Sequence, residues 1–274
     1  MNTVSAPVSV VIPIFGGLGT LTRAIDSIVN QELIPQEVIL VNDGGGNHIS
    51  NKLFDLAKTY TKGWIRIIHL PFNVGAGEAR NAGWAAARGK FVAFLDIDDA
   101  WHPQKIKLQY QFMVDHPQFF ISGHDFRQES GPPCWGSYHL KSGHELVSPL
   151  KLLIVNRFIT PSVMIKNSMQ YQFSENMRYM EDLDLWLTIA LNGKKIAKMN
   201  AQLACIFKSP FGEAGLSSNL WQMEKSEISV YFHACKIKLY LYPTLIFFIP
   251  FSLLKFLRRL LISFFLTEYH LGPI

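Results

Sequence analysis

Three carboxylates follow an apolar segment in the first half of the chain. Asp96, Asp98 and Asp99 come directly after residues 91–95, which are all apolar. Such a segment is typical of a buried strand in a parallel sheet, and open α/β sheets bind ligands at the carboxyl ends of these strands. Carboxylates this close repel one another unless a cation neutralises them, so the spacing predicts a divalent-metal site that holds a phosphorylated ligand. The alternative is that Asp98 or Asp99 caps a helix that begins near residue 102.

Two earlier glycine-rich segments carry polar side chains that could bind a nucleotide. Asp43 precedes the glycines at 44–46, where a flat base and its ribose could approach without obstruction by side chains. Arg80 follows a glycine-containing turn, and an arginine at the start of a helix can bind a diphosphate or a base edge. By itself this second signal is weak, because Arg80 could instead pair with Glu78 or Asp99.

The elements that would position these residues alternate along the first part of the chain. Apolar segments with the pattern of strands are separated by stretches in which apolar residues recur at helical spacing. Crossover connections of this kind predict a right-handed parallel sheet. Further along, residues 128–143 predict either a mobile loop over the site or a plain surface connection, and residues 180–191 predict a helix. The predicted strands span residues 8–14, 37–41, 65–69 and 91–95.

Composition restricts the class of protein. Hydrophobic residues make up 49% of the 274 residues, which excludes a disordered chain and allows one large α/β domain with or without an appendage. Three widely separated cysteines without a C-x-x-C pair favour a reducing compartment and no structural zinc. The chain begins without a signal-peptide pattern, so we expect a cytoplasmic protein.

Positive charge is concentrated near the C-terminus. Residues 236–274 have five cations and one carboxylate, whereas residues 1–235 have 21 basic and 20 acidic side chains. A nucleic-acid-binding face on the main domain is therefore not expected. We predict a main domain at residues 1–235 and a membrane-associating segment at residues 236–274.

The C-terminal segment has two apolar runs on either side of a basic cluster. Lys255, Arg258 and Arg259 divide residues 239–266 into two runs, neither of which reaches the about 20 residues that a spanning helix needs. A single span would place these cations near mid-bilayer. We therefore predict that residues 239–266 lie on the membrane surface, with the cations on anionic headgroups. The alternative is an apolar hairpin that packs on the domain or on a second subunit.

Five motifs follow one another in an order that resembles the family 2 glycosyltransferases of bacterial surface-glycan type. They are Val-Ile-Pro-Ile-Phe, Val-Asn-Asp-Gly, Asn-x-Gly-x-x-x-Ala-Arg-Asn-x-Gly, Phe-Leu-Asp-x-Asp-Asp-x-Trp and Met-Glu-Asp-x-Asp-Leu-Trp. The resemblance covers roughly residues 7–220. It implies an α/β protein with the GT-A nucleotide-diphospho-sugar transferase fold, in which a mostly parallel central sheet is flanked by helices. Here an apolar and basic C-terminal tail would follow that domain.

The resemblance also implies roles in binding a nucleotide-sugar donor. Asp43 would contact the uracil or ribose, and Pro13 and Phe15 would form one wall of the nucleoside pocket. Arg80 would lie near the nucleotide. The implied donor-binding residues are Pro13, Phe15, Asp43, Arg80, Asp96 and Asp98.

The remaining implied roles concern metal and catalysis. Asp98 and Asp99 would belong to the metal motif, with Asp96 in support, and Mn²⁺ or Mg²⁺ would bridge them to the diphosphate. Asp182 corresponds to the general base, and Asp184 would point away from it and cap or pair. The candidate contacts to acceptor or phosphate are Glu181, Trp186 and Lys208, although Trp186 could instead be a core side chain.

These implied roles together predict an inverting, metal-dependent glycosyltransferase. It would move a single sugar from a nucleotide-sugar, expected to be a UDP-sugar, to a hydroxyl of a lipid-linked or surface-glycan acceptor at the inner face of the cell membrane. One base and direct in-line attack imply inversion. The chain lacks the Gln-x-x-Arg-Trp motif of processive relatives, which implies single transfer.

Departures from the family pattern leave a rival prediction open. Gly16, Asn42 and Lys208 stand where relatives usually have other residues, so the chain could be a catalytically silent nucleotide-sugar-binding scaffold in a membrane glycan-assembly complex. A nucleotidylyltransferase shares the sheet type. However, no basic residue follows the first strand before Arg23 to complete its phosphate loop.

Overall fold

A computed structural model describes residues 5–129, 131, 135, 143–207 and 219–270, with side chains as far as residue 262. Its strands are β1 (Ala6–Ile14), β2 (Pro35–Asp43), β3 (Ile65–Leu70), β4 (Phe91–Phe94), β5 (Ala100–Trp101), β6 (Phe119–Gln128), β7 (His144–Val147), β8 (Met164–Lys166) and β9 (Lys195–Ile206). Its α-helices are α1 (Leu18–Val29), α2 (Gly46–Lys58), α3 (Ala76–Ala85), α4 (Lys105–Asp115), α5 (Pro149–Ile154), α6 (Glu181–Leu191), α7 (Leu220–Ile237) and α8 (Leu245–His270). Most of the predicted loop at 128–143 lies outside the described residues.

One sheet runs through the molecule in the order β3-β2-β1-β4-β8-β6-β9-β5, and β7 also pairs with β9. The strands β1 to β4 are mutually parallel, which confirms the prediction for the first part of the chain. Strand β8 is antiparallel to both β4 and β6, so the sheet is mixed beyond β4. The predicted fold class, an α/β fold with a central sheet flanked by helices, is confirmed.

The register of the parallel strands brings the candidate site to one edge of the sheet. Ile14 pairs with Asn42, and Val11 pairs with Phe94. The strands β1, β2 and β4 therefore end side by side. The segments that follow them carry Phe15, the glycines after Asp43 and the acidic cluster.

Both faces of the sheet are covered by apolar side chains. Along β1, Val10 and Ile12 face the helices α1, α2 and α4, whereas Val11 faces the side of α3 and α6. Each of these three side chains is fully buried. Burial on both faces explains why the strands read as continuous apolar runs.

The C-terminal segment folds back onto the domain. A 3₁₀ turn at Leu239–Thr244 links α7 to α8, and Leu245 and Phe248 pack against the main core. Within the described part of the chain, none of the helices has the length and apolarity needed to cross a membrane.

The orientation of the basic cluster corrects the prediction that all three of its cations lie on anionic headgroups. Lys255 and Arg259 both donate to the buried carboxylate of Glu227 on α7, the second at 3.1 Å. Their charges therefore face the domain, where both pair with one buried carboxylate. Of the three cations in the cluster, Arg258 is the one that is exposed.

Candidate functional site

The carboxylate of Asp43 connects the end of β2 to the turn that begins α3. It accepts hydrogen bonds from Asn73 Nδ2 at 2.9 Å, from the Val74 N–H at 2.8 Å and from the Gly75 N–H at 3.0 Å. Gly44 has a φ of 75°, and a Cβ there would overlap the backbone of the same turn. Only glycine accommodates both the positive φ and the close approach of the backbone at position 44. The predicted contact between Asp43, which is buried, and the uracil or ribose stays a prediction.

Phe15 is an exposed aromatic ring at the same edge of the sheet, next to the end of β2. It follows β1 directly and is 65% exposed, while Pro13 is partly buried in the strand. An aromatic face that is open to solvent is suited to stacking on a nucleobase. The role of both residues as a wall of the nucleoside pocket stays a prediction.

Arg80 bridges two acidic segments from inside the protein. Its Nη2 donates to Asp96 at 2.7 Å and its Nη1 donates to Glu181 at 3.0 Å, and its side chain is only 5% exposed. Burial alone would lower the pKa of Arg80, but Asp96 and Glu181 outweigh burial and raise it, so the guanidinium stays charged. Arg80 thus joins the acidic loop to α6, and the prediction that it lies near the nucleotide stays a prediction. Its alternative partner Glu78 instead accepts from the backbone of Asn176.

The acidic cluster forms the turn between β4 and β5. The Asp99 N–H donates to the Asp96 carbonyl at 3.1 Å, and the guanidinium of Arg23 donates to the Asp98 carbonyl. Helix α4 begins only at Lys105, beyond β5, and no side chain caps it. The alternative that Asp98 or Asp99 serves as a helix cap is therefore excluded.

The fit of this turn to a divalent cation depends on the ligand that would share it. In the described ranges, no three His, Cys, Asp or Glu side chains come together as a metal-binding group. Asp98 and Asp99 nevertheless offer carboxylate oxygens, the ligands that Mg²⁺ and Mn²⁺ prefer. Mg²⁺ is commonly held by one or two carboxylates together with substrate phosphates. These two residues fit a cation that a diphosphate also coordinates.

Two carboxylates at the start of α6 have different partners. Asp182 accepts from the Leu183 N–H at 2.7 Å and from Asn156 Nδ2 at 3.0 Å, so both of its oxygens are held by neutral donors. Glu181 is instead paired with the charged Arg80. Burial raises the pKa of Asp182, and it raises the pKa of Glu181 to about 7 although Arg80 lowers it. A carboxylate that is not bound to a cation is the better proton acceptor, which favours Asp182 as the base.

Other predicted contacts have different outcomes. Asp184 accepts from Ser174 Oγ and pairs with His233 Nδ1 at 2.6 Å, which confirms that it pairs away from the site. Trp186 is fully buried and packs edge-to-face on Phe173, with 5.9 Å between ring centroids. The prediction that this ring stacks on a sugar is therefore wrong, and it belongs to the core. Lys208 lies outside the described residues.

The structure adds contacts that the sequence did not indicate for Glu181 and Asn156. Glu181 is buried and pairs with Arg80, and its predicted contact with an acceptor or phosphate stays a prediction. Asn156 contacts the candidate base but follows α5 in a segment without a motif, 26 positions away in the sequence. Nothing in its sequence context could have identified it.

Comparisons with known proteins agree with this geometry. The model of the family described as Glycosyl transferase family 2 matches residues 9–177, more than half of the chain. A relative from Bacillus subtilis, "Putative teichuronic acid biosynthesis glycosyltransferase TuaG", is 28% identical over 82% of this chain and 86% of its own length. "UDP-Glc:alpha-D-GlcNAc-diphosphoundecaprenol beta-1,3-glucosyltransferase WfgD" from Escherichia coli is 25% identical over 81% of this chain and 84% of its own length.

A solved structure shares the fold. The S. aureus TarS fragment 1–349 in complex with UDP-GlcNAc superposes with a TM-score of 0.66 at 20% identity, over 84% of this chain and 66% of that fragment. At this identity the likeness concerns the fold alone. The family match, the order of motifs and the arrangement of the acidic loop and α6 agree, and the chain belongs to glycosyl transferase family 2.

Proposed function

We propose that this glycosyltransferase is an inverting enzyme that moves one sugar from a UDP-sugar to a hydroxyl of a lipid-linked or surface-glycan acceptor, with Mg²⁺ or Mn²⁺ as its cofactor. The observation that carries the proposal is the arrangement of Asp182. Its carboxylate is held by neutral donors, while the neighbouring Glu181 is joined through Arg80 to the acidic loop. One available base at the start of α6 and one acidic loop next to it suit a direct displacement.

The reaction would proceed by in-line attack. The acceptor oxygen forms a bond to the anomeric carbon, and the bond from that carbon to the diphosphate oxygen breaks with its electron pair. Asp182 takes the proton of the acceptor hydroxyl. Bound at Asp98 and Asp99, the cation would supply charge neutralisation for the departing diphosphate. A single displacement of this kind inverts the anomeric configuration.

The comparisons support the choice of donor and acceptor class. The name of the E. coli relative specifies UDP-Glc and a diphosphoundecaprenol-linked acceptor. The structural neighbour is a complex with UDP-GlcNAc. The B. subtilis relative is named for teichuronic acid biosynthesis. A UDP-sugar donor and a membrane-bound glycan acceptor are the features that these proteins suggest for this chain.

The exposed face of α8 supports a membrane location. Between residues 246 and 261 the exposed side chains of this helix are apolar except Arg258, whereas its inward side carries Lys255, Arg259 and the buried Ser252. An ordinary surface helix exposes polar side chains, whereas an exposed apolar patch of this kind marks an interaction surface. The exposed large apolar side chains of α8 are Ile246, Phe247, Phe251, Leu253, Leu254, Leu257, Leu260 and Leu261.

We assign this outer face of α8 to a bilayer rather than to a second copy. Residues 236–262 include no carboxylate, and the exposed Lys236 and Arg258 are both cations. A symmetric dimer through this face would bring like charges together, whereas anionic headgroups would neutralise them. We therefore attribute the membrane affinity of α8 mainly to insertion of its apolar side chains, and not to the basic cluster that the sequence indicated.

The proposed reaction is tested by UDP release from UDP-glucose and UDP-GlcNAc by the full chain. We expect release with Mn²⁺, its loss with EDTA, and calorimetric UDP binding that disappears in Asp99→Ala. Asp182→Asn should lower turnover by about 100-fold or more while UDP still binds. Asp115→Asn, at an exposed position on α4, is the matched control and should behave as wild type. Metal-dependent UDP binding without turnover on any UDP-sugar would favour the scaffold.

A further inference from the structure

Asn156 lies where it can control the orientation of the candidate base. Its Nδ2 donates to Asp182 Oδ2 at 3.0 Å, and its own Oδ1 accepts from the Phe158 N–H at 3.2 Å. The second bond fixes which end of the amide faces Asp182, because an oxygen at that end could not donate. The amide therefore presents a neutral N–H to the carboxylate.

The segment that carries Asn156 is held on both sides. Phe158 is buried, and its ring lies so close to Gly123 of β6 that a Cβ at this glycine would overlap it. On the other side, Lys255 of α8 donates to the Ile154 carbonyl at 3.3 Å. Asn156 thus has little freedom to move away from α6.

Two donors together define the plane of the Asp182 carboxylate. The Leu183 N–H engages Oδ1, and Asn156 engages Oδ2. Each oxygen keeps a lone pair for an incoming hydroxyl, because a carboxylate offers about four acceptor positions. A base that is fixed in this way needs no reorientation when the acceptor arrives. The other charged groups near it are Arg80, Glu181 and Asp96.

We propose that Asn156 is a positioning residue that orients Asp182 for proton abstraction from the acceptor hydroxyl. This inference rests on the proposed function, since it assigns the base role to Asp182. Its neutral donor also favours the ionised form of Asp182 in a site where burial disfavours that form. Removal of the amide should therefore change the titration of Asp182 as well as the rate.

The test is a ¹³C-carboxyl NMR titration of the full chain labelled at aspartate, with the Asp182 signal assigned from its loss in Asp182→Asn. We expect Asn156→Ala to move the midpoint of this signal upward by about one pH unit. Asn156→Asp, which keeps the side-chain shape, should move it further, because two carboxylates then share the site. Asn192→Ala, at the other end of α6, is the control and should leave it unchanged.

The rate provides a second, separable readout. For Asn156→Ala we expect kcat for UDP release to fall by roughly 10- to 100-fold with an unchanged Kd for UDP, and the acid limb of the pH profile to move with the NMR midpoint. An Asp182 signal that titrates as wild type in both Asn156 variants would overturn the proposal. A wild-type chain without turnover would overturn the proposed function instead, and the NMR comparison would still decide the contact.

Discussion

Replacement of Arg80 by methionine would remove the cation that joins the acidic loop to α6. The side chains of its partners Asp96 and Glu181 are 31% and 11% exposed, so neither is fully solvated when the guanidinium is lost. Breaking a buried ion pair by removing one partner costs about 3–5 kcal/mol. Because water reaches Asp96, we expect the lower end, about 3 kcal/mol of unfolding free energy.

The loss should depend on pH in a defined direction. Burial raises the pKa of Glu181 to about 7 even with Arg80 present, and loss of the guanidinium removes a factor that lowers it. A carboxyl group whose folded pKa is raised destabilises the folded state increasingly as pH rises from its unfolded pKa to its folded pKa. Arg80→Met should therefore be more destabilised at about pH 8 than at about pH 5.5. Urea unfolding at both pH values measures the difference.

Two further variants make this test specific. Glu181→Gln in the Arg80→Met background removes the unpaired charge and should recover part of the lost stability at the higher pH. Lys107→Met removes an exposed ion pair to Glu32, whose side chains are 54% and 39% exposed, and should cost at most about 1 kcal/mol. A loss for Arg80→Met as small as this control, equal at both pH values, would refute the reasoning.

Three further outcomes follow from burial and charge elsewhere. Phe247→Ser combined with Leu254→Ser should lower flotation of the full chain with anionic vesicles by about tenfold or more, whereas Phe54→Ser on α2 should not. If the double variant lost self-association but still floated, the outer face of α8 would be a dimer face. Trp186→Phe should lower stability by roughly 1–3 kcal/mol and leave UDP-sugar turnover intact. Loss of turnover without loss of stability would instead support stacking of this ring on a sugar. The hydrogen bond to Asp184 raises the pKa of His233 above 6.5, so His233→Ala should lose stability below about pH 6.5. Thermal melts should show that this difference from wild type shrinks as pH rises through the raised pKa.

The parallel half of the fold could be predicted from local patterns. Its strands are buried on both faces, so their apolar residues form runs that are visible without a structure. Leu21, Ala24, Ile25 and Ile28 recur at helical spacing, and all four are buried on α1. The mixed half was harder because β8 has only three residues and pairs antiparallel with β4 and β6. A strand this short has no periodicity to detect.

The site was predictable where both partners of a contact belong to recognisable sequence motifs. Asp43 and the turn it binds both belong to motifs, and the order of the motifs placed them at one edge of the sheet. Arg80 shows the limit of this approach. An arginine after a glycine turn has the same local pattern whether it faces a nucleotide or two carboxylates, and Glu181 is 101 positions away. Only packing decides between these alternatives.

The sequence by itself determined the family, the strand and helix pattern of the first half and the identity of the acidic residues, because these depend on residue type and short-range spacing. The tertiary structure decided which carboxylate is paired with a cation, that Trp186 is a core side chain and which face of α8 is exposed. Asn156 and Asp182, and Lys255 and Glu227, are distant in the sequence and meet only when separate elements pack. Hydrogen bonds and ion pairs act over a few ångströms, so their partners are defined by that packing and not by position along the chain.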